Sequence, residues 1–458
     1  MNRIRINTLL LLLCIFLPGV AQDVSDGWNK NKTARLTKPV FVYNNWSAYD
    51  ELSDNIPLNE TLAMKELDHI ARLKKMGVQV DYYLMDAFWF DVNEGYRKWR
   101  SDCWPEGPKR WLDACKREGI KPGLWFSTNL LRIGGEANTM KVIPEWESSV
   151  AEDGVTLCLF RGGYLHHLMQ TLQMYADMGI KMFKFDFAYF DAATPDAKCT
   201  MLPADIEEQN KNAFISAIKE FRYKNPDVLF IGYNGFGGDM ENTVTPFRKT
   251  VDLRWLEIFD TMYCGDPRLS DVPMMNFWRS QDLYSDHMTF QYLFNGVPVQ
   301  RIDNCAFMIG TTGTCYNRAL NAWKGMMILT MARGGWLNVC HGNIDLLSDD
   351  DACWMAKVQQ LYMKVQQYGN ISAFGSIPGK ALPYGYMASA EGGNLYTVVN
   401  ASQEKVKVTL PEATGTGRVL FTDSGFIPVL EKNIVELGPE QMAVVGYGKF
   451  SARGCLLY

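Results

Sequence analysis

Between about residue 40 and residue 365 the chain alternates short apolar runs with longer amphipathic ones, and this alternation limits the folds open to it. Phe41-Val42-Tyr43 reads as a strand. Asn59 to Met76 reads as a helix, with Leu62, Leu67, Ile70 and Leu73 near helical spacing and Gly77 as its stop. The pattern then repeats. Val80 to Met85, Lys121 to Phe126, Lys181 to Phe187, Val228 to Tyr233 and Trp336 to Val339 read as strands. Trp111 to Arg117, Tyr164 to Met178, Ile206 to Phe221, Ala319 to Arg333 and Cys353 to Gln367 read as helices. Strands separated by helices make parallel βαβ units. About eight such units over roughly 330 residues predict a (β/α)8 barrel rather than an open sheet. No GxGxxG or P-loop follows a strand, so a nucleotide-binding fold has no support.

The pattern changes near Gly369. Residues 395–399, 406–410, 418–421 and 441–445 are short alternating runs separated by turn residues, as in antiparallel strands. The expected organisation is a barrel over residues 22–368 and a β-sandwich domain over 369–458. Before them, Arg3 and Arg5 precede an apolar run from Leu9 to Leu17 and a small-residue site at Gly19-Val20-Ala21. That order reads as a secretory signal over residues 1–21 and predicts a secreted or periplasmic protein. The apolar run is too short for a membrane span, and no later stretch is long enough. Eleven cysteines, ten after cleavage, are irregularly spaced without a CxxC pair, so a zinc site is not expected and most read as buried thiols. The net charge of −5 and the absence of a basic stripe argue against a nucleic-acid partner. Thirteen tryptophans suit either a large core or a sugar binder, because pyranose C–H faces stack on aromatic rings.

In such a barrel, acids at the C-terminal ends of strands face the mouth. Asp186 ends the run Lys184-Phe185-Asp186, and Lys184 lies on the same side of the strand. The cation would keep the carboxylate ionised, as a nucleophile needs; a structural Lys–Asp pair is the alternative. Asp282, read as following an aromatic strand end at Asn276-Phe277-Trp278, is a candidate acid/base. Asp286 competes with it, and either could be a helix cap. Asp86, in Asp86-Ala87-Phe88-Trp89-Phe90, sits beside an aromatic ring as a sugar-binding carboxylate would, or caps the next element. Two acids flanking a glycosidic bond are the usual machinery of glycoside hydrolysis.

The ordered motifs resemble the α-galactosidase clan, glycoside hydrolase families 27 and 36, across nearly the whole chain after the signal. Asn45-Trp46-Ser47 resembles the clan's opening motif, and Asp86-Ala87-Phe88-Trp89-Phe90 its Asp-Asp-Gly-Trp-Phe. Gly123-Leu124-Trp125-Phe126 resembles its third strand, and Lys184-Phe185-Asp186 its Lys-x-Asp nucleophile motif. Gly232-Tyr233-Asn234-Gly235-Phe236-Gly237-Gly238 is similar to its glycine-rich loop, and Trp278-Arg279-Ser280-Gln281-Asp282 to the segment carrying the acid/base. The resemblance implies a retaining α-galactosidase-like enzyme without metal or organic cofactor. It makes Asp186 the nucleophile and Asp282 the acid/base. It implies that Trp46, Asp86, Trp89, Trp125, Lys184, Asn234 and Arg279 bind an oligosaccharide or polysaccharide substrate. Ala87 replaces the second acid of the clan's pair, and Ser127-Thr128-Asn129 stands where family 36 has Glu-Pro-Glu. Those departures leave open N-acetylgalactosamine, arabinopyranose or glucose as the glycone, or a barrel that binds sugar without cleaving it.

Overall fold

The computed structural model describes residues 35–48, 58–87, 89–133, 138–236, 251–265, 268–270, 272–303, 307–310 and 322–458. The expected signal over residues 1–21, Phe88, Gly237, Gly238 and the expected helix start at Ala319 lie outside these residues.

Parallel strands β1 (Val40–Asn44), β2 (Tyr82–Met85), β3 (Lys121–Ser127), β4 (Met182–Asp186), β5 (Leu229–Gly232), β6 (Thr261–Tyr263) and β7 (Ile302–Asp303) pair in chain order. β8 (Phe307–Ile309) begins a few residues after β7, and β9 (Leu337–Gly342) lies between β8 and β1. Tyr263 pairs with Asp303 on one side, and Phe307 pairs with Cys340 on the other. β7 and β8 therefore share one position of an eight-position ring, which β9 closes onto β1 through Val42 and Val339. This is the (β/α)8 barrel. Outside it lie α1 (Glu60–Lys75), α2 (Lys109–Glu118), α3 (Tyr164–Asp177), α4 (Pro195–Thr200), α5 (Pro203–Lys224), α6 (Phe277–Phe294), α7 (Ala322–Ala332) and α8 (Asp349–Tyr368). Local chemistry sets their ends. Asn59 caps α1 by accepting from the Leu62 amide, and Gly119 closes α2 in the left-handed conformation.

Strand alternation sorts the barrel into layers. Val40 and Val42, Tyr82 and Leu84, Met182, Leu229 and Ile231, and Leu337 and Val339 form one buried cluster in the lumen. Their neighbours Phe41, Tyr43, Tyr83, Phe183, Phe185 and Phe230 face outward into the core shared with the helices. One step further along the inward faces, the residues turn polar: Asn44, Asp86, Lys184 and His341, all buried. The apolar lower layers fill the barrel as a packed core. The polar layer above them is the floor of the mouth.

Past α8 the chain forms a sheet ordered β10 (Asn370–Gly375), β11 (Tyr384–Ala390), β12 (Gly393–Val399), β17 (Met442–Tyr447), β14 (Gly417–Thr422). A second sheet is ordered β13 (Val406–Thr409), β16 (Ile434–Leu437), β15 (Val429–Glu431). Tyr396, Val398, Val408, Leu410, Val435, Leu437 and Val445 pack between them, giving the antiparallel β-sandwich.

One expectation fails here. The segment from Asn276 to Asp282 is not a strand end but the start of α6, whose first turn Asn276 caps by accepting from the Arg279 amide. Its burial on nearly all sides erased the amphipathic period that would have marked a helix.

Candidate active site

The mouth is organised around two carboxylates on strands one position apart from β3. Asp86 follows β2 and receives an ion pair from Lys184 of β4, Nζ to Oδ2 at 2.8 Å. The Asp86 amide donates to Asn45 Oδ1 at 2.8 Å, which fixes the turn out of β2. Lys184 also lies 4.0 Å from the ring centre of Tyr233, a cation–π contact in a water-poor layer.

Asp186 is surrounded by donors. Its Oδ1 accepts from the Phe187 amide at 2.9 Å, the Asn234 amide at 3.1 Å and Asn234 Nδ2 at 2.9 Å. Its Oδ2 accepts from Trp125 Nε1 at 3.2 Å. Burial raises the Asp186 pKa, while Lys184, Trp125 and Asn234 pull it back toward the ionised form. Gly235 makes the Asn234 contact possible. At φ +98° its Cα approaches the Ala188 backbone so closely that a Cβ would sit 2.3 Å from the Ala188 carbonyl oxygen. Phe187, beside Asp186, and Ser47, beside Trp46, are non-glycine residues at φ 49° and 64°. Two strained positions therefore flank the mouth, as at many working sites.

Of the residues marked in the sequence, Asp86, Trp125, Lys184, Asp186 and Asn234 come together. Trp46 borders them, its ring edge-on to His341 at 5.4 Å. Trp89 does not. It is wholly buried against Trp99, Phe126 and Tyr175, and its Nε1 donates to the Trp125 carbonyl at 3.0 Å. Trp125 is itself buried, so it positions Asp186 rather than offering an open stacking face.

Asp282 and Arg279 are also elsewhere. They lie a turn apart on α6, where Arg279 Nη1 reaches Asp282 Oδ2 at 3.2 Å, pairs with Asp423 and donates Nε to the Glu440 carbonyl at 3.0 Å. Asp286 continues the same face, held by Arg333 at 2.6 Å, Tyr386 at 2.7 Å and Tyr384. That face of α6 meets the C-terminal domain. The other side approaches the β6 turn, with the Tyr284 hydroxyl near Gly265. The helix that replaced the expected strand end turns both acids toward the sandwich.

Three floor residues escaped the sequence reading. Asp303 ends β7 and accepts from the Tyr233 hydroxyl at 2.8 Å; burial pushes its pKa up to about 7. Tyr233 stacks on Tyr263 at 4.1 Å. Burial, and then the charge of Lys184, push the His341 pKa down to about 3. Strand alternation from Val339 could have flagged His341, since both sit on the inward face of β9. Among the described residues no group of acids, histidines and cysteines is arranged to hold a metal ion, and no disulfide joins the described cysteines. No described helix is long and apolar enough to cross a membrane.

No protein-family profile matches the chain. In sequence it is 26% identical over 226 residues to the α-galactosidase Mel36A of Lactobacillus acidophilus, covering 46% of this chain and 29% of that protein. In structure it superposes on the galactosidase domain of the α-galactosidase–sucrose kinase AgaSK with a TM-score of 0.63 at 16% identity, over 94% of this chain and 58% of that one. The proteins it resembles in these two comparisons are α-galactosidases. A family 36 α-galactosidase, AgaA of Geobacillus stearothermophilus, solved with 1-deoxygalactonojirimycin, matches with a TM-score of 0.60 at 15% identity, over 90% of this chain and 56% of that one. The α-galactosidase of Lactobacillus brevis gives 0.61 at 14% identity, with the same coverage. The clan resemblance drawn from the motifs is thus supported by sequence and by fold. The chain spans under a third of the curated relative and little more than half of these solved chains.

Proposed function

We propose that the protein is a retaining glycoside hydrolase that cleaves terminal α-galactosides or closely related sugars. The observation that carries this reading is the setting of Asp186. Among the described residues three donors occupy its Oδ1, and only the Trp125 indole reaches Oδ2. Oδ2 is then the oxygen left to attack an anomeric carbon above it. Attack forms the glycosyl–Asp186 ester as the glycosidic C–O bond breaks, and a nearby acid protonates the departing oxygen. Water, deprotonated by the same group, then hydrolyses the ester with net retention. Lys184 donates to, and Asp86 accepts from, glycone hydroxyls, with Ala87 leaving one fewer acceptor than a paired-acid motif.

Asp282 is held by Arg279 on α6, and its part as the acid/base is set beside that of two other carboxyls in the test below. The carboxyls that remain in sequence near the ends of β6 and β7 are Asp266, outside the described residues, and Asp303. AgaA was solved with raffinose and with stachyose, which makes α-galactosyl oligosaccharides the first substrates to try here. The signal-like order of Arg3, Arg5, the apolar run Leu9 to Leu17 and Gly19-Val20-Ala21 supports a secreted or periplasmic enzyme.

The test uses the chain from residue 22 with p-nitrophenyl α-glycosides, the β-L-arabinopyranoside and raffinose. Nitrophenol release from one sugar, lost in Asp186→Asn and partly restored to Asp186→Ala by azide, supports the reading. Parallel Asp266→Asn, Asp282→Asn and Asp303→Asn variants identify the acid as the one that still cleaves only activated aryl glycosides. Sugar binding without turnover on any substrate overturns it in favour of a non-catalytic barrel.

A further inference from the structure

His341 is the one imidazole in the described floor, and the ring order places it opposite the nucleophile. Around the eight positions, β4 and β9 are four steps apart in either direction. Asp186 ends the first and His341 lies near the end of the second. A pyranose has the same geometry, with C4 across the ring from C1. With C1 above Asp186, the C4 side of the glycone points toward His341.

The imidazole is set up as an acceptor. Its Nδ1 lies 3.2 Å from the Asn44 carbonyl oxygen, which can only accept, so Nδ1 carries the hydrogen. The ring stays neutral because the site is dry and Lys184 is close. Nε2 therefore presents a lone pair, and among the described residues it has no hydrogen-bond partner. The residue is 4% exposed, and its unpaired Nε2 is not one of the fully buried polar atoms. Trp46, edge-on to the imidazole, closes the same side of the mouth.

We propose that His341 is a specificity-determining residue of this site, whose Nε2 accepts a hydrogen bond from the glycone hydroxyl at C4 or on the C5 substituent. This rests on the glycosidase reading for the placement of C1. It selects sugars that carry a donor hydroxyl there and rejects 4-O-alkylated or 6-carboxylated ones, which bring no donor.

Binding tests it apart from turnover. Methyl α-galactoside and its 4-deoxy and 6-deoxy forms are titrated by calorimetry into Asp186→Asn and into the same protein carrying His341→Ala. The expected result is an about tenfold affinity loss for the parent sugar. One of the two deoxy sugars should bind both proteins equally. His341→Gln, which fills the space and keeps an acceptor, should recover part of the loss and guards against misfolding. Equal losses for all sugars, or no loss, overturn the proposal. If sugar binds as expected but wild-type protein cleaves nothing, the glycosidase reading falls and His341 still reads the ring. If no sugar binds either protein, both fall.

Discussion

Lys184 and Asp86 meet at 2.8 Å from strands β4 and β2, with side chains only 5% and 4% exposed. Removing one member of so buried a pair strands the other charge, at a cost of about 3–5 kcal/mol. Lys184→Met should therefore lower the melting temperature. It should also act on the chemistry, because Lys184 lowers the Asp186 pKa. Without it that pKa rises, less Asp186 is ionised at a given pH, and the acid limb of kcat/KM moves to higher pH. A pH–rate profile of the folded variant checks this, and an unmoved acid limb would count against Asp186 as the ionised nucleophile.

Glu66 of α1 is buried beneath the Tyr43 and Tyr83 hydroxyls, and burial raises its pKa to about 8. Its folded value lies above the unfolded one, so the folded chain holds a proton that the unfolded chain has already released. That stability is fully present below the unfolded pKa, about 4.3, and is lost as pH rises toward 8, at about 1.4 kcal/mol per pH unit. Glu66→Gln keeps the neutral shape and should stabilise the protein relative to wild type at pH 8 but not at pH 4.5. Urea denaturation at the two pH values measures the difference.

Gly235 combines φ +98° with a close approach to Ala188. Gly235→Ala should cost more than about 1 kcal/mol and pull Asn234 off Asp186. Reduced kcat with little change in KM is the expected pattern, since Asn234 orients the attacking group. A variant with wild-type kinetics would remove Asn234 from that role.

Asp282→Asn distinguishes a scaffold acid from a catalytic one. Breaking the Asp282–Arg279–Asp423 group should lower stability by several kcal/mol, since it leaves a buried guanidinium short of a counter-charge. The fraction that stays folded should retain its turnover on both activated and natural substrates. Thermal melts beside kcat at 20 °C show both effects.

The sequence by itself determined the barrel, the sandwich, and the placing of Lys184 and Asp186 on one strand face. Each follows from a short-range period, 3.6 or 2 residues, that any chain segment carries within itself. It also marked Asp86, because a strand end is a local signal, while Trp125 and Asn234 were marked through the resemblance of their motifs to the clan's. Tertiary structure alone decided the rest. A buried helix has no polar face, so α6 read as a strand end, and only packing against the C-terminal domain shows that Arg279, Asp282 and Asp286 hold two domains together. Trp89 carries a sugar-site motif yet faces the core, since Trp99 and aromatic residues from two other elements, Phe126 and Tyr175, enclose it. His341 and Asp303 join the floor from strands more than 100 residues past Asp186. Their selection depends on ring closure, a long-range relationship that no local period encodes.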